Sequence, residues 1–237
     1  MDASLAPTAS SSTSSIPTLQ VDFSWKKWKA LITDQANPEE PLYIADFMKI
    51  RSPHITIKNA SDDALIGTGT LHPVSINADY ELHGRKGTLK ALKRLHTSYT
   101  HLSYNYSDTE TPVAMTWASD ASFKTWNFIC LDEDQLPVAK FSAKPWGVKK
   151  LGIVEFMGPK AHLPAAREEA LVIGMTLYYT MILRVNNIFN LFGAVIARPG
   201  PLDKEAAEKD YSKAVGGTSP LPSDVSSKPR AAVYEMS

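Results

Sequence analysis

The longest apolar run of the chain covers residues 171–197. Apolar residues occupy most positions around its helical wheel, so the pattern predicts a helix without a wide polar face over residues 165–198. Pro164 suits the first position of such a helix, and Glu168 and Glu169 fall in its early turns. The positive end of the helix dipole favours carboxylates there. A helix that is apolar on all sides is buried, either in a protein core or in a bilayer.

Polar residues near the middle of this run favour a protein environment. Arg184 and three asparagines, at positions 186, 187 and 190, interrupt the apolar residues. An arginine at the centre of a bilayer costs roughly 2.5–3.5 kcal/mol on insertion scales. We therefore expect the helix to be buried in protein. A membrane anchor formed by residues 171–197 remains the alternative.

Upstream of the helix, short apolar runs alternate with turn-forming residues, a pattern typical of β-strands. The first segment, at 21–25, is expected to be a strand or a short helix that packs its aromatic residues on the core. With Lys26, Lys27, Trp28 and Lys29 after it, an amphipathic membrane-surface feature is the alternative. Residues 84–87 predict a turn, and residues 88–96 fit either a helix or a strand. The predicted strands cover residues 42–47, 54–57, 65–71, 79–83, 99–104, 113–117, 123–131, 138–143 and 151–156. Their connections are too short for crossover helices, so the sheet is predicted to be antiparallel.

These elements predict a mainly β (α+β) fold, a closed antiparallel β-barrel that surrounds the long hydrophobic helix. Closure removes the exposed edges of nine or ten short strands. A barrel of more than about eight strands encloses more space than its own side chains fill, and the apolar helix would fill that space. We expect a Ser/Thr-rich disordered tail over residues 1–20, the barrel domain over 21–200, and a short helix with a flexible tail over 201–237.

The strand order, the length of the helix and two short sequence segments resemble those of a known superfamily. The segments are FKTWNF at 123–128 and VAKF at 138–141. Across residues 41–200 the chain resembles the tubby C-terminal-like proteins, which include tubby domains, LURP-one-related proteins and phospholipid scramblases. The resemblance implies a barrel threaded by a hydrophobic helix. In the tubby branch it also implies that Lys and Arg on the barrel bind phosphoinositide head groups. The chain lacks the cysteine-rich and calcium-associated segments of the scramblases, and no family site residue is transferred to it.

The distribution of charge indicates a local basic site on a neutral chain. Lys plus Arg and Asp plus Glu number 25 each, which argues against a nucleic-acid partner because such binders are usually basic. Basic clusters attract anionic lipid surfaces at about 1 kcal/mol per side chain. A solvated sheet edge protected by lysines is the alternative explanation. The predicted lipid-binding patch consists of Arg85, Lys86, Lys90, Lys93 and Arg94, with Lys149 and Lys150 as a second group.

Catalytic and metal-binding signals are weak in this sequence. The six histidines lack the close spacing of metal ligands, and we expect structural roles for them. The single cysteine, Cys130, excludes an internal disulfide and a cysteine-rich zinc site. It lies in a strand-like run and is predicted to be buried and inert. We therefore predict no catalytic residue, no metal and no cofactor.

The sequence leads to one principal expectation and two alternatives. The principal one is a non-enzymatic cytoplasmic domain, peripheral at membranes, that binds anionic phospholipid or a protein partner through the basic patch. A pattern typical of secretory signals is missing from the N-terminus. The first alternative is an enzyme or carrier with a small-molecule pocket in the barrel lumen. The second is a protein anchored in the membrane by residues 171–197.

Overall fold

The computed structural model describes residues 16–24, 26–73, 75–93, 97–121, 126–144 and 150–186, with the side chains of 120, 121 and 184–186 left out. This part of the chain forms twelve strands and one helix. In chain order they are β1 (Thr18–Ser24), β2 (Lys29–Asp34), β3 (Asn37–Phe47), β4 (Ile55–Asn59), β5 (Leu65–Leu71), β6 (Ala78–Leu82), β7 (Arg85–Ala91), β8 (Ser98–Ser103), β9 (Val113–Ala121), β10 (Trp126–Leu131), β11 (Pro137–Ala143), β12 (Lys150–Phe156) and α1 (Pro164–Asn186).

Each strand pairs with the next one along the chain in antiparallel orientation, and β1 pairs with β12 to close the barrel. The predicted fold class is confirmed. Because successive strands run in opposite directions, every second connection lies at the same end of the barrel. We call the end where α1 begins the entry end; its connections are residues 35–36, 60–64, 83–84, 104–112, 132–136 and 157–163. The described residues at the exit end are 26–28, 48–54, 72–73, 75–77, 92–93, 97 and 144.

Alternation of side chains along the strands builds the core. Leu19, Val21 and Phe23 of β1 are buried, whereas the residues between them are only partly buried. The same period of two recurs on β4, β6 and β10, as expected for strands with one face inward. The largest fully buried side chains are Trp117, Tyr99, Phe128, Phe141 and Phe156. Bulky aromatic groups therefore occupy much of the interior.

Helix α1 lies inside this barrel. All residues from 169 to 180 are buried. On one side the helix packs closely on β5, where a Cβ on Gly67 would lie 2.8 Å from Val172 Cγ2 and one on Gly69 would overlap Thr176 Oγ1. On another side the rings of Trp117 and Phe141 reach Gly174 of the helix. The predicted central helix is confirmed over the described residues, because strands on several sides of the barrel contact it.

The observed ends of the helix and of the first strand differ from the predicted ones. The helix begins at Pro164 and is described to Asn186; residues 187–198 of the predicted helix and all of 201–237 lie outside the described part of the chain. Strand β1 begins at Thr18, inside the predicted tail of residues 1–20, because Leu19 is fully buried and residues 18–20 take part in ladders with neighbouring strands. Residues 1–15 also lie outside the described part.

Two strands were missed or left open by the sequence. Strand β2 was not predicted, because the apolar Leu31 points outward between the buried Ala30 and Ile32 and apolar and polar residues therefore do not alternate in sequence. The predicted turn at 84–87 is a two-residue turn at His83 and Gly84, both with positive φ (47° and 81°). Residue 85 already belongs to β7. Residues 88–91, which fitted either a helix or a strand, are also part of β7 because they pair with β6 or β8.

Among the described residues, no helix has the length and hydropathy that crossing a membrane requires. The alternative hypothesis places a membrane anchor at residues 171–197. In the structure, residues 171–180 of this range are buried in protein.

Candidate functional site

Charged residues are segregated between the two ends of the barrel. The described residues of the exit-end connections contain no Asp or Glu, but six Lys or Arg residues, at positions 26, 27, 49, 51, 93 and 144. The six entry-end connections contain a single Lys or Arg residue, Lys160, and seven acids, at positions 62, 63, 108, 110, 132, 133 and 134. In the described part of the barrel, the connections are therefore basic at one end and acidic at the other.

The cations at the exit end are available to a ligand. Seven Lys or Arg side chains at this end are described and exposed: Lys26, Lys27, Lys49, Arg51, Lys93, Lys144 and Lys150, the last being the first residue of β12. We call these seven the exit-end cations. Among the described residues, none of them forms a salt bridge with a carboxylate. Asp22 of β1 is the partner of Lys150 across the ladder. The other six lie in connections whose described residues include no acid, so their charges add to one positive surface potential.

The structure divides the predicted basic patch. Arg85 and Lys86 open β7 at the entry end, where the Arg85 guanidinium lies 4.9 Å from the Tyr104 ring centroid and Lys86 is paired across the ladder with Glu81. Lys90 lies further along β7, opposite Thr100 of β8.

The remaining members of the patch lie toward the exit end or outside the described residues. Lys93 follows β7 at the exit end. Lys150 also lies at that end, on β12, and four strands separate β12 from β7 around the shorter arc of the barrel. Arg94 and Lys149 fall outside the described residues. The five described members of the predicted patch therefore do not form one continuous surface.

Sequence reasoning missed Lys49 and Arg51, and it considered Lys26 and Lys27 only as a local amphipathic feature, apart from the basic patch. They are far apart in sequence from residues 85–94, so a search for local charge runs does not group them. The sequence does contain a signal for this grouping, because every second connection of an antiparallel meander lies at the same end of the barrel. Adding the charges of alternate connections would have grouped them.

Among the described residues, the most exposed apolar group at the exit end lies on the β3–β4 loop, residues 48–54. Its base is closed by the Met48 N–H, which donates to the His54 carbonyl at 2.8 Å. The Tyr179 hydroxyl of α1 donates to the Met48 carbonyl at 3.1 Å. Residues 48–53 are exposed, and Ile50 reaches 92% exposure. A base fixed to the central helix therefore presents an exposed tip.

A lysine and a tryptophan stack beside this tip. Lys49 Nζ lies 3.9 Å from the Trp28 ring centroid, a cation–π distance. Trp28 itself is partly buried and packs edge-on against Phe23, with ring centroids 6.1 Å apart. The contact joins the 25–28 and 48–54 connections at the exit end.

At the entry end, a buried polar group ties α1 to the strands. One carboxylate oxygen of Glu169 lies 3.1 Å from His101 Nε2, and the other accepts a hydrogen bond from Asn105 Nδ2 at 2.7 Å. The next carboxylate, Glu168, lies 2.7 Å from His83 Nε2 and accepts a hydrogen bond from the Tyr43 hydroxyl at 3.2 Å. These contacts position the start of the helix against β3, β8 and the β6–β7 turn.

The chemistry of this entry-end group follows from its burial. Burial, together with the neighbouring Glu168 carboxylate, raises the pKa of Tyr43 to about 12. Burial also raises the pKa of the Cys130 thiol well above its usual value, and the charges of Glu169 and Asp132 add to the effect. The thiol is therefore protonated at neutral pH and is a weak nucleophile in that form. No set of three or more His, Cys, Asp or Glu side chains among the described residues is arranged to hold a metal ion.

No family model matches the chain, and no curated protein or solved structure matches it either.

Proposed function

We propose that this protein binds anionic phospholipid membranes peripherally, through the exit end of its barrel. The observation that carries the proposal is the charge segregation: six Lys or Arg residues and no carboxylate in the described residues of the exit-end connections. A membrane is a plane of negative charge, so cations gathered at one end of a barrel can approach it together. Each contributes about 1 kcal/mol near an anionic surface.

The ligand class is the phosphorylated head group of an anionic lipid. Lysine and arginine hold phosphate oxygens through charge-assisted hydrogen bonds. Phosphoinositides are included in the proposal because the sequence resembles tubby-like proteins, and that resemblance implies their recognition. The cytoplasmic leaflet is the proposed site of action, since its phosphatidylserine and phosphatidylinositol lipids make that surface negative.

The alternative of a small-molecule pocket in the lumen has less support. Close approach of α1 to β5 and the aromatic side chains around Gly174 fill the described parts of the lumen. A pocket for a drug-sized ligand requires a few hundred Å³. The exposed cations lie outside the barrel and favour an external ligand.

Vesicle flotation tests the proposal with two charge-matched variants. Lys27→Glu/Lys93→Glu alters the exit end, and Lys58→Glu/Lys86→Glu alters the net charge equally at the entry end. We expect the wild type to float with phosphatidylcholine vesicles that contain phosphatidylserine or a phosphoinositide, and not with phosphatidylcholine alone. Removing two cations should weaken binding by about thirtyfold or more. Added salt should weaken it as well.

The control variant decides where the site lies. We expect Lys58→Glu/Lys86→Glu to bind anionic vesicles nearly as the wild type does. Equal loss in both variants would show that net charge alone is responsible. Equal flotation with neutral vesicles, or failure to bind any vesicle, would overturn the proposal. In the second case a protein partner for the basic end becomes the next hypothesis.

A further inference from the structure

The β3–β4 loop combines features that electrostatic attraction alone does not require. Ile50 is 92% exposed at its tip, and Met48 is 51% exposed at its base. Most of the other exposed large apolar side chains, such as Leu65 and Leu136, lie at the acidic entry end. Single exposed apolar side chains are common on protein surfaces, so the surroundings of Ile50 decide what its exposure means. Burying an isoleucine side chain is favourable, so a partner that covers this tip gains affinity from it.

The charges around Ile50 define what can cover it. Lys49 and Arg51 flank it in sequence, both exposed, and no acid occurs in the whole 48–54 connection. Trp28, beneath Lys49, supplies an aromatic ring of the type that favours the boundary between head groups and acyl chains. An apolar tip between two cations complements an anionic bilayer, in which phosphate lies above hydrocarbon.

The two ends of the loop are also fixed to the barrel. Besides the Met48–His54 hydrogen bond, the His54 N–H donates to the Gly69 carbonyl at 2.8 Å, and the Leu71 N–H donates to His54 Nδ1 at 3.1 Å. The Tyr179 hydroxyl donates to the Met48 carbonyl from within the barrel. A short loop with fixed ends loses less conformational entropy on insertion than an unanchored segment of the same length.

We propose that the β3–β4 loop inserts Ile50 into the hydrocarbon boundary of an anionic bilayer while Lys49 and Arg51 bind lipid phosphates. The inference rests on the proposed lipid binding and adds an orientation to it. With Ile50 inserted, the exit-end cations face the same membrane plane, and the barrel stands on the bilayer with its acidic entry end directed away. The entry end is then presented to the aqueous phase.

Site-specific fluorescence tests the insertion. Cys130 is buried, so a surface cysteine can be labelled selectively in the folded protein. We would label Ile50→Cys with an environment-sensitive nitrobenzoxadiazole dye and add vesicles of phosphatidylcholine with phosphatidylserine. Leu136→Cys, at an exposed entry-end position, is the matched control. The dye at 50 should shift to the blue and be quenched by lipids brominated on their acyl chains, whereas the dye at 136 should do neither.

A binding measurement separates this inference from the proposed function. Ile50→Ser should weaken vesicle binding by roughly tenfold, the effect of losing one buried apolar side chain, whereas Leu136→Ser should bind as the wild type. Both variants should melt as the wild type does because both side chains are exposed. Normal binding by Ile50→Ser, with the dye at 50 still in water, would overturn the insertion and leave head-group binding intact. A wild type that does not bind anionic vesicles would overturn both.

Discussion

Glu169 on α1 lies 3.1 Å from His101 on β8, and the two residues are 68 positions apart in sequence. Their side chains are only 4% and 2% exposed. Asn105, which follows β8, donates a second hydrogen bond to the same carboxylate. A buried carboxylate is tolerated only when its oxygens are paired. The pair therefore fixes the start of the central helix relative to the barrel wall.

Removing this carboxylate should destabilise the fold. Glu169→Ala leaves the His101 donor buried without an acceptor, and Asn105 keeps only its longer hydrogen bond to the Ala165 carbonyl, at 3.3 Å. Breaking a buried pair costs about 3–5 kcal/mol. Glu169→Gln retains an acceptor oxygen and should cost less. Denaturant unfolding of both variants measures the difference in free energy. An alanine variant with unchanged stability would show that the buried pair does not anchor the helix.

Close packing between β5 and α1 gives a second prediction. A Cβ on Gly69 would overlap Thr176 Oγ1 and approach Thr176 Cγ2 to 3.0 Å. We expect Gly69→Ala to lower the free energy of unfolding by about 1–3 kcal/mol, as overpacking does. Thr176→Ala removes both overlapping atoms, so the double variant should lose less stability than the sum of the two single variants. Strict additivity in this cycle would contradict a helix packed against β5.

Stability should depend on pH through His54. Burial, with a smaller effect of the nearby His72, lowers the pKa of His54 below its usual 6.5. The folded state therefore binds a proton less readily than the unfolded chain. The contribution of His54 to stability is complete above pH 6.5 and decreases as the pH falls from there toward the folded pKa. Protonation also removes the Nδ1 acceptor used by the Leu71 N–H.

The measurement is a comparison of melting temperatures at pH 7.5 and 5.5, about one unit either side of the ordinary histidine pKa of 6.5. Because the wild-type melting curve sums the effects of all ionisable groups, a variant is needed to isolate the part that His54 contributes. His54→Gln keeps a polar side chain that does not titrate and should show a smaller decrease on acidification. Identical decreases in both proteins would exclude His54 as a contributor.

The buried thiol provides a probe of barrel opening. Cys130 lies on β10, and burial raises the pKa of its thiol. Alkylation in native buffer should be far slower than in denaturant, where the thiol is exposed and titrates normally. A rate of Cys130 alkylation that rises together with the unfolded fraction would support cooperative unfolding of the barrel. Rapid alkylation of the folded protein would contradict the placement of Cys130.

The sequence by itself determined the architecture. Alternating apolar residues with short connections require an antiparallel sheet, and a long helix without a polar face requires an enclosing surface. Both requirements are local and depend on side-chain period and connection length. Even so, β2 was missed because the outward Leu31 obscures the alternation, and β7 was left open until its ladders with β6 and β8 were seen.

Only the tertiary structure decided which residues act together. Glu169 meets His101, and Lys49 meets Trp28, only because the barrel closes and α1 runs through it. Residues 85–94 look like one basic cluster in sequence, yet β7 carries Arg85 and Lys93 toward opposite ends. The charge of a surface is a sum over residues close in space, whereas a sequence lists neighbours along the chain. Closure of the barrel converts alternate connections into a basic end and an acidic end.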